Sequence, residues 1–395
     1  MLPHLLLAAT LTAFLPAAFA SNACTDACLR LVQEGYAFAA KGQYREARDR
    51  FDAARVAAPQ AALPMAAAAG LFQDLSTRVA PDQAAQLRDT ARGLANRALQ
   101  LDADDALAHE ALRKLDADGP SPLRAANPAA AKVFREAEVL FSERRLDAAL
   151  AKYQEAMALD PHYSMSWVGA GDCYFLRKQW SEAEAHFRRA ADIEPRNSQA
   201  WRFLADALVQ QDKRQAAEQA LLSAIAADPS QFPNWIKLGS LRSAAGLPLK
   251  PLRFRRGFTL ATGADGKPEV RIEEDLVEQA APPDMAFRLL LATGEVEARK
   301  SNQDKDTGKR HGAFDIELAA WQSALRGIES AYAASGEGLA DPALRQMQAF
   351  AKDGQLEPAL LVLLYRQSYR PALEAWLARE PGGLKTFIDR YSLRP

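Results

Sequence analysis

Apolar and polar residues along most of this chain alternate at helical spacing, interrupted by short polar breaks. The stretch "WVGAGDCYFLRKQWSEAEAHF", residues 167–187, reads as a helix, a break and a second helix, and "WRFLADALVQQDKRQAAEQAL", 201–221, restates it. After residue 251 the period changes. In "LRFRRGFTLATGADGKPEVRIEED", 252–275, Phe254, Phe258, Leu260, Val270 and Ile272 flank an Asp265–Gly266 turn, which predicts a β-hairpin. Helical patterns resume at about 276–296, 314–335, 341–353, 356–366, 369–379 and 383–391, with the polar loop "KSNQDKDTGKRHG" between the first two. "GQLEPALLVLLYRQSYRPALEAWL" is apolar enough to form the core of a compact helical cap.

The helical pairs hold one register. Trp167, Trp201 and Trp235 are spaced by 34 residues, as are Pro161, Pro195 and Pro229, Ala149, Ala183 and Ala217, and Ala156, Ala190 and Ala224. Tyr153, Phe187 and Leu221 fill one further shared position. A period of 34 with this order of Trp, small residue, aromatic, Ala and Pro resembles the tetratricopeptide repeat family, and the copy with Trp167, Gly171, Tyr174, Ala183, Phe187, Ala190 and Pro195 carries the resemblance best. Small residues such as Gly171 and Ala183 let paired helices approach, Trp167 and Phe187 fill the space, and Pro195 is expected at a helix start. One unit cannot bury its apolar face alone, so the copies are expected to stack. An earlier copy carries Gly35, Gly42, Tyr44, Ala47, Phe51, Ala54 and Pro59. Between Pro59 and Pro128 the register decays: "STRVAPDQAAQ" inserts residues before the second helix "ARGLANRALQLDADD", and "GPSPLRAANP" is a loop or interrupted helix start. The last copy begins with Trp235, Leu238, Gly239 and Gly246, then meets "LPLKP", where Pro248 and Pro251 forbid an ordinary second helix.

The expected architecture is mostly α: a tetratricopeptide-type α-α solenoid, a right-handed superhelix by resemblance, with a C-terminal β-hairpin plus helical module. Its parts are a signal peptide at 1–20, a degenerate helical region at 21–128, the repeat array at 129–247, a basic hairpin segment at 248–275 and a helical module at 276–395. The resemblance does not reach this last third.

Composition narrows the function. Lys plus Arg (49) nearly balances Asp plus Glu (50), which disfavours nucleic acid and anionic membrane as partners. "MLPHLLLAATLTAFLPAAFA" has the apolar block and the Ala18–Phe19–Ala20 site of a secretory leader, although its first residues lack Lys or Arg. Export to a bacterial periplasm or envelope is therefore expected, with a mature start near Ser21. Buried helix and lipoprotein are the alternatives for this segment, the latter because Cys24 follows. No other run reaches transmembrane length. In an oxidising compartment Cys24 and Cys28 either pair or stay as two thiols, and Cys173 reads as a small core residue.

Chemical motifs are absent. "ATGADGKP" imitates a phosphate loop but has Pro268 where a magnesium-holding Ser or Thr would stand, and a hairpin follows it. Asp304, Asp306 and Asp315 fall at calcium-loop spacing without the required Gly and fifth ligand. His109, His162 and His186 fit turns and helix faces, while His311, Asp315, Glu317 and Tyr365 have no supporting motif. No metal or cofactor is implied, and the chain reads as a non-enzyme.

If the resemblance holds, the first helices of successive repeats line a concave surface that binds protein or peptide. Glu138, Asp172 and Asp206 occupy one equivalent position there, with Phe134, Phe141, Val168, Phe175, Arg202 and Val209 at neighbouring ones. That mixture suits a basic or amphipathic peptide partner, the alternative being a solvated helix face. From Pro229 to Ala264 there is no acidic residue, but there are Lys237, Arg242, Lys250, Arg253, Arg255 and Arg256, so this basic segment is a third, intramolecular occupant to consider. The expectation is an exported binding scaffold. Its rivals are an enzyme with its site in residues 250–395, which buried and partnered polar residues clustered there would favour, and an inhibitor with one tight partner.

Overall fold

The 34-residue landmarks meet in space. In the computed structural model, which describes residues 24–102, 105–115, 123–262, 268–301, 311–333 and 337–395, the indole Nε1 of Trp167 donates to the Pro161 carbonyl at 3.2 Å, Trp201 to Pro195 at 3.0 Å and Trp235 to Pro229 at 2.8 Å. Each Pro lies in the turn between repeats, ahead of the helix beginning at Ser164, Ser198 or Phe232. This corrects the expectation that Pro195 opens a helix: its ring and carbonyl shape the turn, and the Trp of the following helix fastens it. The leader, the Asp265–Gly266 turn, Asp304 and Asp306 lie outside the described residues.

The array comprises α6 (Pro128–Ser142), α7 (Leu146–Leu159), α8 (Ser164–Leu176), α9 (Trp180–Ile193), α10 (Ser198–Gln210), α11 (Arg214–Ala227) and α12 (Phe232–Ser243). Two glycines of α8 let neighbouring helices approach, one within its repeat and one toward the preceding repeat. A Cβ built on Gly171 would stand 2.6 Å from the Phe187 ring, and one on Gly169 2.3 Å from Tyr153 of the preceding repeat. The breaks inside the repeats share one geometry. Arg144, Lys178 and Asp212 take the left-handed conformation, with φ of 61°, 60° and 56°, and the next amide returns to the first helix, as Gln179 N to Tyr174 O at 3.0 Å. Gly246 continues the 34-residue series, and Gly42 holds the same place in the first copy, with φ of 79° and 74°. This is the reversal that ends a helix in a six-to-one hydrogen bond.

Upstream, α1 (Asp26–Ala40) with α2 (Tyr44–Ala57) and α3 (Ala62–Ser76) with α4 (Pro81–Leu101) form helical pairs of the same kind, followed by a single helix, α5 (Ala106–Leu115). Gly35 faces the Phe51 ring as Gly171 faces Phe187. The insertion before the second helix becomes extra turns of α4, 21 residues against 14 in α2. Helix α5 packs on α3 and α4 and also touches α12, where His109 stacks on Phe232 with ring centroids 3.5 Å apart. Two first helices, each without an ordinary second helix in sequence, thus meet. The segment before α6 is held against later repeats: Arg124 Nη1 donates to Asp160 at 3.0 Å and the Arg124 amide to Glu194 at 3.2 Å. At the start of α1, Cys24 and Cys28 are joined by a disulfide with a Cα separation of 5.4 Å. The span is feasible because Cys24 precedes the helix, with Thr25 as its N-cap.

The chain divides into two compact units between Pro248 and Leu249. The second unit contains β1 (Lys250–Pro251), paired in parallel with β4 (Leu393–Arg394). The predicted hairpin is β2 (Phe258–Thr262) and β3 (Pro268–Ile272), with Phe258 opposite Ile272 and Leu260 opposite Val270. Phe254 lies before β2 instead of in it. The helix expected at 276–296 is two, α13 (Glu274–Gln279) and α14 (Pro282–Lys300), broken where Pro282 starts the second helix. There follow α15 (Ala313–Tyr332), α16 (Pro342–Lys352), α17 (Leu356–Leu363), a 3₁₀ turn at Gln367–Tyr369, α18 (Arg370–Arg379) and α19 (Gly383–Tyr391). Gly294 lets α14 lie against Ala320 of α15, and Phe287, Trp321, Phe350, Leu360 and Trp376 fill the interior.

Among the described residues no helix is long and apolar enough to cross a membrane, and no group of three or more His, Cys, Asp or Glu side chains is placed to hold a metal ion.

Candidate functional site

The first helices of three consecutive repeats, α6, α8 and α10, pack in succession, and their equivalent positions form a row. Glu138, Asp172 and Asp206 are close enough for the charge on Glu138 and on Asp206 to act on Asp172. Each keeps different company. Glu138 accepts a hydrogen bond from the Tyr153 hydroxyl; burial pushes its carboxyl up and that bond opposes the push. Asp206 accepts from Lys237 Nζ at 2.6 Å. Burial drives the Asp172 carboxyl well above the usual aspartate range, Glu138 and Asp206 push it the same way, and the Arg202 cation opposes them. Arg202 is itself pulled down by burial and lies over the Phe203 ring at 5.1 Å.

The apolar positions differ in access. Val209 is 43% exposed, whereas Phe134, Phe141 and Phe175 are half-buried. Phe134 packs on Tyr153 and Tyr163, and Phe175 meets Trp180 edge-on at 4.8 Å. Val168 is only 2% exposed and belongs to the core, because its side chain points between helices. Leu176, one turn beyond Asp172, is 41% exposed and was not among the positions expected from the repeat register.

The basic segment pairs mostly elsewhere. Arg255 bonds Glu273, and Arg256 bonds Glu295 and Glu317, all within the second unit. Arg253 is exposed, with φ of 55°. Arg242 donates to Glu218 at 2.6 Å. Lys237 reaches the row of carboxyls, at Asp206.

A second polar cluster is buried in residues 250–395. The Arg256 guanidinium, over the Phe258 ring at 4.7 Å, donates to Glu317 at 2.6 Å and to Glu295. Trp321 Nε1 donates to Glu317 at 2.8 Å, and Arg299 to Glu295 at 2.6 Å. Burial would raise the Glu317 carboxyl, but the Arg256 and Arg366 charges and the hydrogen bonds from Arg256 and Trp321 hold it at about 2. Burial together with the Glu317 charge raises the nearby Tyr369 hydroxyl. The cluster binds the segment before β2 to α14 and α15. A cleft of about 280 Å³ in this unit is lined by Gln355, Trp376, Glu380, Thr386, Phe387 and Arg390, none of which belongs to the cluster. Asp315 accepts from the Gly312 amide at 2.9 Å and caps α15, which accounts for it without a ligand.

Comparison with known proteins agrees with the register. A family model described as tetratricopeptide repeat matches residues 134–197, and a second so described matches 175–240. The human protein named Tetratricopeptide repeat protein 6 is 39% identical over 49 residues, which are 12% of this chain and 9% of that protein's length. Among solved structures, the first TPR of Spaghetti (RPAP3) bound to an HSP90 peptide aligns at 19% identity over 30% of this chain and 93% of that one, with a TM-score of 0.29. The TPR2AB domain of yeast Sti1, in a pHSP90 complex, aligns at 15% identity over 55% of this chain and 98% of that one, also with a TM-score of 0.29. On the two family matches, the human relative and the shared landmarks, residues 134–240 are tetratricopeptide repeats.

Proposed function

We propose that the chain is a non-enzymatic interaction scaffold of a bacterial periplasm or envelope, binding a protein or peptide segment of basic or amphipathic character on the face shared by α6, α8 and α10. One observation carries this reading: three carboxyls stand in repeat register, each followed one turn later by an apolar residue, Phe141 after Glu138, Leu176 after Asp172 and Val209 after Asp206. A segment with alternating basic and apolar side chains complements that face. Export is supported by the apolar leader and by the Cys24–Cys28 disulfide, which needs an oxidising compartment to persist.

The test compares capture from an envelope extract by wild type and by a Glu138→Lys/Asp172→Lys/Asp206→Lys variant. A partner retained only by wild type, and binding it as a purified protein, supports the reading. Equal retention by both discards this face. One tight stoichiometric partner, released by no other competitor, would shift the reading to an inhibitor.

The enzyme reading has one observation in its favour, the buried cluster around Glu317. Against it, the cluster's acids bond its own cations and the indole of Trp321, and the cleft in the same unit is lined by other residues. Turnover in an activity screen that survives in the triple variant and is lost in Glu317→Gln, with the fold retained, would restore it.

A further inference from the structure

The three carboxyls of the row are unequally satisfied. Tyr153 meets Glu138, and Lys237 meets Asp206. Asp172, between them, has neither a hydrogen bond nor an ion pair among the described residues. The groups that face it are Glu138 on α6, Tyr153 on α7, Arg202 and Asp206 on α10, and its own neighbour Cys173. Arg202 supplies the attraction, but it divides that between Asp172 and Asp206 and rests on the Phe203 ring. A half-buried carboxyl in this setting is costly to ionise until a second cation arrives. The surface around it is apolar: Leu176 is 41% exposed one turn along α8, and Val209 43% exposed on α10.

We propose that Asp172 is the specificity-determining residue of this face, taking a single lysine or arginine of the bound segment while Leu176 and Val209 take the apolar side chains that flank it. The occupant is therefore an amphipathic protein segment with one central cation, not a polybasic one, because both ends of the row already have partners. This rests on the reading of the face as a binding surface and goes further by naming the contact that selects the partner. Binding also releases a proton from Asp172, so affinity rises with pH across the range in which that carboxyl ionises.

The experiment selects a phage-displayed library of random peptides on the full chain, then measures affinities for wild type, Asp172→Asn, Asp206→Asn and Val209→Arg. The inference expects enriched peptides with one Lys or Arg between apolar residues, at least about tenfold weaker on Asp172→Asn, and within about threefold of wild type on Asp206→Asn. The pH dependence should vanish in Asp172→Asn. Peptides that lose binding to Val209→Arg yet lack the cation, or bind Asp172→Asn as well as wild type, overturn the inference and leave the face intact as a binding surface. Peptides indifferent to Val209→Arg, or no enrichment at all, overturn the face itself and the inference with it. Helix content by circular dichroism confirms that each variant folds.

Discussion

Asp172 in the repeat array and Glu317 in the C-terminal unit are both carboxyls drawn out of water, yet their environments push them in opposite directions. Glu317 is 4% exposed and receives Arg256, Trp321 and the field of Arg366, so its charge is stabilised at about 2 despite burial. Asp172 is less enclosed, receives no hydrogen bond among the described residues, and is driven upward by burial and by Glu138. The sequence separates them poorly, since each is one acid in an amphipathic helix. The partners make the difference: the C-terminal unit consumes its buried charge in holding itself together, while the array leaves one carboxyl unsatisfied on an accessible face. An unsatisfied group of that kind has a reason to await a ligand, and a satisfied one does not.

The largest expected effect comes from breaking the satisfied side. Glu317→Gln leaves the Arg256 cation with Glu295 alone and should destabilise the C-terminal unit by about 3–5 kcal/mol, as removing one member of a buried ion cluster does. Chemical denaturation of the full chain, followed by Trp fluorescence, would show this unit melting early. An effect under about 1 kcal/mol would mean that the cluster is a bystander.

Acid should separate the two carboxyls by sign. Glu317 has a depressed folded-state value, so its contribution is present above the ordinary glutamate range and is lost as the pH falls toward about 2. Asp172 has a raised one, so its stability contribution is present in acid, below the ordinary aspartate range, and is lost as the pH rises through its folded-state value. Asp172→Asn should accordingly raise the melting temperature of the array at neutral pH and leave it unchanged near pH 3, a comparison made by calorimetry at the two conditions. A loss of stability at neutral pH would show that Asp172 is already satisfied.

Smaller effects sharpen the description of the array. Lys237→Ala frees Asp206, and because both side chains are partly exposed, at 40% and 27%, the cost should be under about 1 kcal/mol. Lys178→Gly relieves a left-handed residue with φ of 60° and should stabilise the array by at most about 1 kcal/mol, measured as a rise in melting temperature. The same change at Arg144 should act alike, since the two turns are equivalent.

The repeat was legible because its landmarks touch one another. A small residue (Ala137, Gly171, Ala205) against a large one (Tyr153, Phe187, Leu221) and Trp against Pro are pairwise demands, and a period of 34 residues repeats both members together. What the period does not carry is a contact between distant parts of the chain. The meeting of α5 with α12 through His109 and Phe232 has no sequence signal, as the two helices are separated by whole repeats. The lone break at Pro282 was missed because apolar spacing continues on either side of it. At the candidate site the three carboxyls followed from the register, but which of them was already paired depended on Lys237 and Tyr153, and those positions carry no such demand. The basic run from Lys237 to Arg256 has the charge to cover an acidic face, yet Arg255 and Arg256 are spent on Glu273, Glu295 and Glu317, whose spacing gives no hint of it.

The account turns on the contrast between Asp172 and Glu317, and a carbon-13 carboxyl titration of the full chain by NMR measures both in one sample. The expected result is an Asp172 midpoint above the ordinary aspartate range and a Glu317 midpoint near 2. An Asp172 midpoint at or below the ordinary value would show that the array satisfies its own carboxyls, and the claim that this face is left open for a partner's cation would fall.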